Sequence, residues 1–408
     1  MGARGREGAL HWAGSMVRSD FDQMPLISRH RAPPRPLLTL LAAGALAGAL
    51  PVRADPPARS APIGGGTPGP VRQLFLDPVL ADARAVGGPS FSLRLETANS
   101  WSVPTTFERD GHTVAVQLDA QADTLAFSAR LPWSMALGRS APAWSHRVAT
   151  TFRWRVTGYW GGFEDSIIEG WHRLIGSYNF LRQRFPRDHI NLKMTESGAA
   201  AFDLHTGRIS PGDLVIGTQW LLLSGGRSRT STAGPGEPSW GVALRLDLKA
   251  PIGSLSRLGG SGGFDAALSA LATVELARWC VLHGLLYGSV LSPLSSPIAL
   301  QPRRLQGGVD VSVVFLVGGW SLILEDRYLS QLMEGGWSQS SIDAISSAYA
   351  ALFRPHNQIT GGVRYGPLAL SLSEDWTPGP NPAGKYGWFY NSNAPDLAVA
   401  LTFTWPWR

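Results

Sequence analysis

The chain has 408 residues, 16% of them charged, with 47 Gly and 16 Trp; soluble domains carry about 25% charge, and this mix suits turns and membrane interfaces instead. The first 54 residues hold seven of the 36 basic and three of the 30 acidic side chains, so 29 basic against 27 acidic follow them, a net charge of +2 (29 − 27). The basic pI therefore does not describe the processed chain, and with no Lys/Arg cluster interleaved with aromatics a nucleic-acid partner is set aside.

Residues 1–54 read as an N-terminal extension and cleaved export signal. Arg29, Arg31 and Arg35 precede an apolar stretch from Leu37 to Leu50, and Val52-Arg53-Ala54 fits a small-residue cleavage site before Asp55. A start at Met24 gives the more usual signal length. The apolar stretch is shorter than the ~20 residues of a spanning helix. Residues 55–88 are rich in Pro, Gly and Ala, with Gly64-Gly65-Gly66 and Pro68-Gly69-Pro70, and read as a flexible leader. No cysteine follows the signal, which excludes a lipid-anchored N-terminus.

From Pro89 onward, runs of about a dozen residues alternate apolar with polar side chains. Side chains of a strand point to opposite faces in turn, so Val242-Ala243-Leu244-Arg245-Leu246-Asp247-Leu248-Lys249 makes one aliphatic face and one polar face. Strands are predicted at 89–100, 113–131 with a bend near Gln121, 145–157, 212–223, 240–250, 264–276, 279–290, 307–317, 320–329, 356–365, 368–376 and 396–405. Twelve such strands, each about the length that crosses a membrane at a tilt, predict an all-β fold: a transmembrane antiparallel β-barrel of about 12 strands, within a range of 10–14, over residues 89–408. The run 201–206 is a further short strand candidate. Cys280 lies inside an apolar strand; a lone cysteine excludes an intramolecular disulfide and a Cys-based zinc site.

Connection lengths give the barrel a direction. Ala277-Arg278, Gly318-Gly319 and Gly366-Pro367 are minimal links, whereas 291–306, 330–355 and 377–395 are long. Outer-membrane barrels pair short periplasmic turns with long external loops. That register puts Trp144, Trp220, Trp240, Trp279, Trp320 and Trp405 at periplasmic strand ends and Trp101, Trp160 and Trp376 at outer ends, forming two aromatic girdles. The segment 224–239 is the exception, a long connection on the periplasmic side. The longest connection, 158–211, is external and contains a run of helical period: Ile167, Ile168, Trp171, Leu174 and Ile175 form one face, and Asp165, Glu169 and His172 the other. Phe163, Asp165, Ile168, Glu169, Trp171 and His172 are the candidates for a loop helix that lies in the interface, plugs the mouth or covers a partner.

The stretch Gly161-Gly162-Phe163-Glu164-Asp165-Ser166-Ile167-Ile168-Glu169-Gly170-Trp171-His172, followed by Arg184-Phe185-Pro186-Arg187-Asp188, resembles the bacterial envelope family known as domain of unknown function 3187. Gly69-Pro70-Val71-Arg72-Gln73 is similar to that family's opening. Pro211-Gly212-Asp213-Leu214 and Leu248-Lys249-Ala250-Pro251-Ile252-Gly253 resemble patterns shared with phenol-degradation-type outer-membrane proteins. The resemblance implies an outer-membrane barrel of porin-like character and brings no catalytic residues. The C-terminus departs from the usual barrel ending: Phe403, Trp405 and Trp407 alternate as the barrel-assembly machinery requires of its client, but Pro406 interrupts the run and Arg408 follows it.

Charges on the lipid face at mid-bilayer cost ~2–4 kcal/mol for Arg or Lys, so the alternation points them inward. The lumen-lining candidates are Arg94, Glu96, Arg153, Arg155, Arg245, Asp247, Lys249, Glu325, Arg327 and Arg364. They suit a porin-like channel or uptake barrel for small solutes with a slight cationic bias, or, alternatively, a closed structural or surface-interaction barrel in which they neutralise one another. A third reading, a barrel-embedded lipase, needs a Ser/His pair on the outer wall. No nucleophile elbow, zinc-protease motif, phosphate loop or dinucleotide fingerprint occurs, and no cofactor or catalytic residue is assigned. Asp165, Glu169 and His172 have cation-ligand spacing, but a solvated polar face with a Glu169–Arg173 helix pair accounts for them. Ser261, in Gly260-Ser261-Gly262-Gly263, reads as a residue of a flexible turn. His189 and His205 receive no role.

Overall fold

The predicted alternation becomes strand in the computed structural model, which describes residues 59–66, 69–86, 88–102, 104–109, 111–175, 186–228, 238–334, 352–353, 355–375, 379–380, 386–387 and 397–406. The signal, Trp376 and the terminal Trp407 and Arg408 lie outside the described residues. The strands are β1 (Ser90–Ser100), β2 (Thr105–Arg109), β3 (His112–Pro132), β4 (Val148–Trp160), β5 (Asn191–Glu196), β6 (Ala199–Leu204), β7 (Arg208–Pro211), β8 (Leu214–Gly225), β9 (Trp240–Ala250), β10 (Asp265–Ala277), β11 (Cys280–Val290), β12 (Leu305–Val317), β13 (Trp320–Leu329), β14 (His356–Tyr365), β15 (Leu368–Asp375), the two-residue pair β16 (Gly379–Pro380) and β17 (Tyr386–Gly387), and β18 (Leu397–Pro406). The α-helices with both ends among the described residues are α1 (Trp133–Leu137) and α2 (Asp165–Ile175).

Twelve of these strands close on themselves in the order β1-β3-β4-β8-β9-β10-β11-β12-β13-β14-β15-β18 and back to β1, every pair antiparallel. They are the twelve that the alternation predicts. Closure leaves the barrel no unpaired sheet edge, which in a hydrocarbon layer would strand backbone N–H and C=O groups. The seam is β1 on β18, with Ser90 opposite Pro406 and Asn99 opposite Leu397. Pro406 sits at the strand end, where its missing N–H costs no interior ladder bond.

The period-two reading of β9 holds residue by residue: Leu246 and Leu248 are exposed, while Ala243, Arg245, Asp247 and Lys249 are buried. Facing residues on β8, β10, β11, β12 and β13 extend the aliphatic surface through Ile216, Leu268, Leu286, Val309 and Leu324. At the end carrying the short links, Trp144, Trp220, Trp240, Trp279, Trp320 and Trp405 are all exposed, and Trp279 stacks on Phe315 at 6.0 Å. Trp133 joins them from α1, edge-on to Trp144 at 5.6 Å. The second girdle is corrected at Trp101, which is only 3% exposed and packed inside, while Trp160 is half-buried at the end of β4.

At the opposite end β3 overshoots the barrel. Its residues Thr113–Val116 pair with β2, and its residues Val114–Asp119 pair with β5, which in turn pairs with β6. The overshoot folds over the mouth, and Val114, Val116 and Leu118 join Leu192, Met194, Phe202, Leu258, Leu300 and Met333 in one apolar cluster. The long-connection end is therefore capped by a small hydrophobic core.

Candidate functional site

The leader is the principal departure from the sequence reading. Residues 59–66 and 69–86 run inside the barrel as a hairpin that enters at the short-link end, turns under the cap and returns. Composition alone reads such a Pro/Gly segment as flexible. Here its backbone groups are individually taken up by charged and polar side chains of the wall.

On the way up, the Ser321 hydroxyl donates to Arg59 O at 2.7 Å, and His283 Nε2 meets Ser60 O at 2.6 Å. Arg364 donates to the carbonyls of Ala61 and Pro62. The carboxylate of Glu325 then accepts three successive backbone N–H groups, from Ile63 at 2.5 Å, Gly64 at 3.1 Å and Gly65 at 2.7 Å. Three consecutive N–H groups converge on one anion only if the backbone turns left-handed, and Gly64 and Gly65 have φ of +88° and +66°. Arg94 donates to Gly65 O at 2.7 Å and is itself held by Glu96 at 2.6 Å.

At the tip, a short 3-10 turn over Arg72–Leu74 places Val71, Leu74 and Phe75 in the cap's apolar cluster. Arg72 donates to Ser330 O and Arg155 to Gln73 O. Lys249 Nζ lies at the centre of a polar knot, 2.9 Å from Leu74 O, 2.9 Å from Asp213, 3.0 Å from Asp265 and 2.6 Å from Ser261 Oγ. Ser261 is fully buried and its N–H donates to Leu74 O, so it is not in a flexible turn. Its hydroxyl has an ion pair beside it rather than a free amine, which gives it no base.

On the way down, Leu76 N donates to Asp265 at 2.9 Å, Arg327 to Asp77 and to Pro78 O, and Arg153 to Asp77 O. Gln219 donates to the carbonyls of Asp82 and Ala83 at 3.1 Å, and Ala83 N donates to Thr273 Oγ1 at 2.9 Å. Arg84 closes the return by pairing with Asp82 and with Glu275, at 2.7 and 2.8 Å.

All ten lumen-lining candidates therefore face inward, and seven of them, Arg94, Arg153, Arg155, Lys249, Glu325, Arg327 and Arg364, touch the leader. The other three position those seven or their neighbours: Glu96 holds Arg94, and Asp247 pairs with both Arg153 and Arg245, at 3.1 and 2.8 Å. Sequence reasoning missed Gln219, Asp265, Thr273, His283 and Asp310. Each occupies an inward position of the same alternation, so counting polar residues as well as charges finds them. Asp213 and Ser261 sit in connections, where no periodicity points to them. Between leader and wall lies a cavity of about 10 Å³ lined by Arg72, Phe75, Asp77, Tyr287, Gln306 and Leu332, room for about one water.

The external helix is not the plug. α2 is placed by Asp165, which accepts from Asn99 Nδ2 at 2.9 Å, and by Trp171, whose indole donates to Glu374 at 2.9 Å. Asp165, Ile168 and Glu169 are buried, while Phe163, Ile167 and Leu174 are exposed. The Glu169 carboxylate pairs with Arg187 rather than with Arg173, which donates to the Glu169 carbonyl instead, so Asp165 and Glu169 are packed against protein and not solvated. The side chains of His172 and Ile175 lie outside the described residues. Among the described residues no cluster of His, Cys, Asp and Glu has the geometry to hold a metal ion.

No family profile and no curated protein matches the chain. Among solved structures it is similar to an outer membrane channel from Pseudomonas putida F1, at 11% identity over 81% of this chain and 97% of that one, with a TM-score of 0.41. It is also similar to the CymD monoaromatic hydrocarbon channel, at 11% identity over 80% and 90% of the two chains and a TM-score of 0.34. A Pseudomonas aeruginosa FadL homologue matches at 8% identity over 87% and 98%, with a TM-score of 0.33. The barrel assignment rests on the closed strand pairing itself.

Proposed function

We propose that the protein is an outer-membrane uptake barrel for small solutes whose bore is closed at rest by its own N-terminal hairpin. The observation that carries this reading is the way the wall holds the leader. It grips backbone N–H and C=O groups through Glu325, Arg364, Arg327, Gln219 and Lys249, and divides the apolar leader side chains among three small clusters, Val71, Leu74 and Phe75 at the tip, Leu80 and Ala83 on the returning arm and Ile63 on the entering one. Hydrogen bonds of this kind exchange with water at a net cost of ~0.5–1.5 kcal/mol each, more for charged partners, so the segment is releasable in a way that an apolar core is not. The short links face the periplasm in this reading, as in other barrels of this class, and the leader enters from that side.

A second reading is a permanently closed structural barrel, favoured by the luminal pairs Arg94–Glu96 and Arg245–Asp247 and by the apolar cap. Deletion of residues 59–86 separates the two. A releasable hairpin predicts a steady ohmic conductance of the deleted barrel in planar bilayers against rare or no openings of the full chain. A folded deletion variant that remains electrically silent contradicts the proposal and favours the structural barrel.

A further inference from the structure

The strand register places an unusual polar patch on the outside of the barrel. On β1, Phe91, Leu93 and Leu95 share the outward side with Thr97 and Asn99, since Arg94, held by Glu96, reaches the leader from the opposite side. Pairing carries that outward side to the neighbours: Thr97 faces Asp123 and Asn99 faces Gln121 on β3, while Leu397 and Val399 follow on β18. On β15 the outward side is Leu368, Leu370, Leu372 and then Glu374. An aliphatic face thus gives way to Thr97 and Asn99 on β1, Gln121 and Asp123 on β3 and Glu374 on β15, while β18 stays aliphatic between them. On β10 the outward side continues through Leu268 to Phe264, and on β12 through Val309 to Leu305, all of them exposed.

α2 lies on this patch. The N–H of Phe163 donates to Gln121 at 3.0 Å, Thr97 Oγ1 is 2.7 Å from Glu164, Asn99 reaches Asp165, and Trp171 reaches Glu374. These contacts run from β3 across β1 and β18 to β15, three strand spacings or ~14 Å, and an 11-residue helix is ~16 Å long. The helix therefore crosses the strands on the outer wall. Much of its polarity is inverted relative to a helix on a soluble protein: Asp165 is buried against the wall and Glu169 is buried beside Arg187, whereas Ile167 is 53% and Leu174 78% exposed, with Phe163 beside them at 48% and with Ser166 and Arg173 flanking them.

We propose that α2 is embedded in the outer leaflet of the membrane, with lipid acyl chains as the occupant of its exposed Phe163/Ile167/Leu174 face. The continuity of that face with the barrel's aliphatic belt carries the assignment. Where the belt is interrupted by polar wall residues, the helix covers them with its own polar side and presents aliphatic side chains in their place. A helix whose outer surface met water would expose those three side chains while burying two carboxylates, the reverse of what water favours. In hydrocarbon the same arrangement leaves Asp165, Glu169 and the Trp171 indole each turned to a hydrogen-bonding partner, with the Arg173 guanidinium turned back to Glu169 O.

The test is site-directed spin labelling in phosphatidylcholine vesicles, in a Cys280→Ala background. Labels at Ile167→Cys and Leu174→Cys are compared with Leu286→Cys on the belt and Thr206→Cys in an exposed external turn. Collision rates with oxygen and with a water-soluble nickel chelate are measured for each. A ratio of oxygen to nickel accessibility several-fold above the Thr206 value and near the Leu286 value is the expected result at both helix positions. Values at the Thr206 level, with Leu286 behaving as a belt residue, overturn the proposal. Dipolar broadening at 167 and 174 that is lost on dilution with unlabelled protein assigns the face to a second copy of the chain and overturns it equally.

Discussion

Replacing Glu325 with alanine removes a single side chain that holds three consecutive leader N–H groups, those of Ile63, Gly64 and Gly65. Hydrogen bonds to a charged group contribute ~1.5–3 kcal/mol each. Because the three share one carboxylate and are not additive, about 3–5 kcal/mol is the reasonable loss. The freed N–H groups face a buried wall, and Arg364 loses a neighbouring negative charge as well. At ~1.4 kcal/mol per decade, a loss of 3 kcal/mol raises the population of displaced leader by about 10²-fold. The assay is paired: frequency of opening in planar bilayers, and the rate of thiol modification at Ile63→Cys in a Cys280→Ala background. Both rise together if the wall's grip on the backbone keeps the bore closed. A Glu325→Ala barrel with unchanged opening frequency and unchanged modification of residue 63 refutes the reasoning, and shows that the apolar tip at Val71, Leu74 and Phe75 holds the leader without help from below.

Three further outcomes follow from the same geometry. Leu246→Arg places a charge on the exposed side of β9 and is expected to cost ~2–4 kcal/mol of folding stability in bilayers, measured by denaturant titration; no loss there would contradict the lipid-facing assignment. Burial raises Glu164 from 4.5 to about 7, opposed by its hydrogen bond with Thr97 and reinforced by Asp123 and Asp165. Since the docked state keeps a proton that a free glutamate releases, α2 docking is strongest below pH 4.5, weakens between pH 4.5 and 7 by up to about 3 kcal/mol, and is level above that. Glu164→Gln abolishes this slope in the mobility of a label at Ile167, and persistence of the slope in that variant rules out Glu164 as its source. Gly162 has φ +75° and an added Cβ would stand 2.3 Å from Gln121 Oε1, so Gly162→Ala is expected to loosen the start of α2 by ~1–3 kcal/mol, seen as faster proteolysis near Phe163.

The barrel was legible because one physical rule repeats twelve times. Leu246 outside and Arg245 inside are separated by one residue, and a membrane penalises the reverse register on every strand. The inward positions of the ten charged candidates follow from the same rule, but what they bind does not. The leader was opaque because its role depends on backbone groups: Ile63, Gly64 and Gly65 matter through their N–H, and composition records only side chains. α2 was only partly legible. Its helical period shows an apolar and a polar stripe but leaves open the interface, a mouth to plug or a partner to cover; which stripe packs depends on the polar wall residues Asn99, Gln121 and Glu374, far from it in sequence. Trp101 illustrates the limit of girdle reasoning, since an aromatic at a strand end is interfacial only if the chain continues outward.

The claim that passage requires the leader to leave the bore is tested most directly by tethering it. An ideal Cβ on Gly66 lies within 2.7 Å of Ser373 Cβ, closer than the ~3.8 Å of a disulfide, so a small outward relaxation admits the bond. With Gly66→Cys and Ser373→Cys in the Glu325→Ala, Cys280→Ala background, single-barrel current is recorded before and after reductant. The account predicts silence when oxidised and openings on reduction, whereas openings that continue unchanged in the oxidised barrel would contradict it.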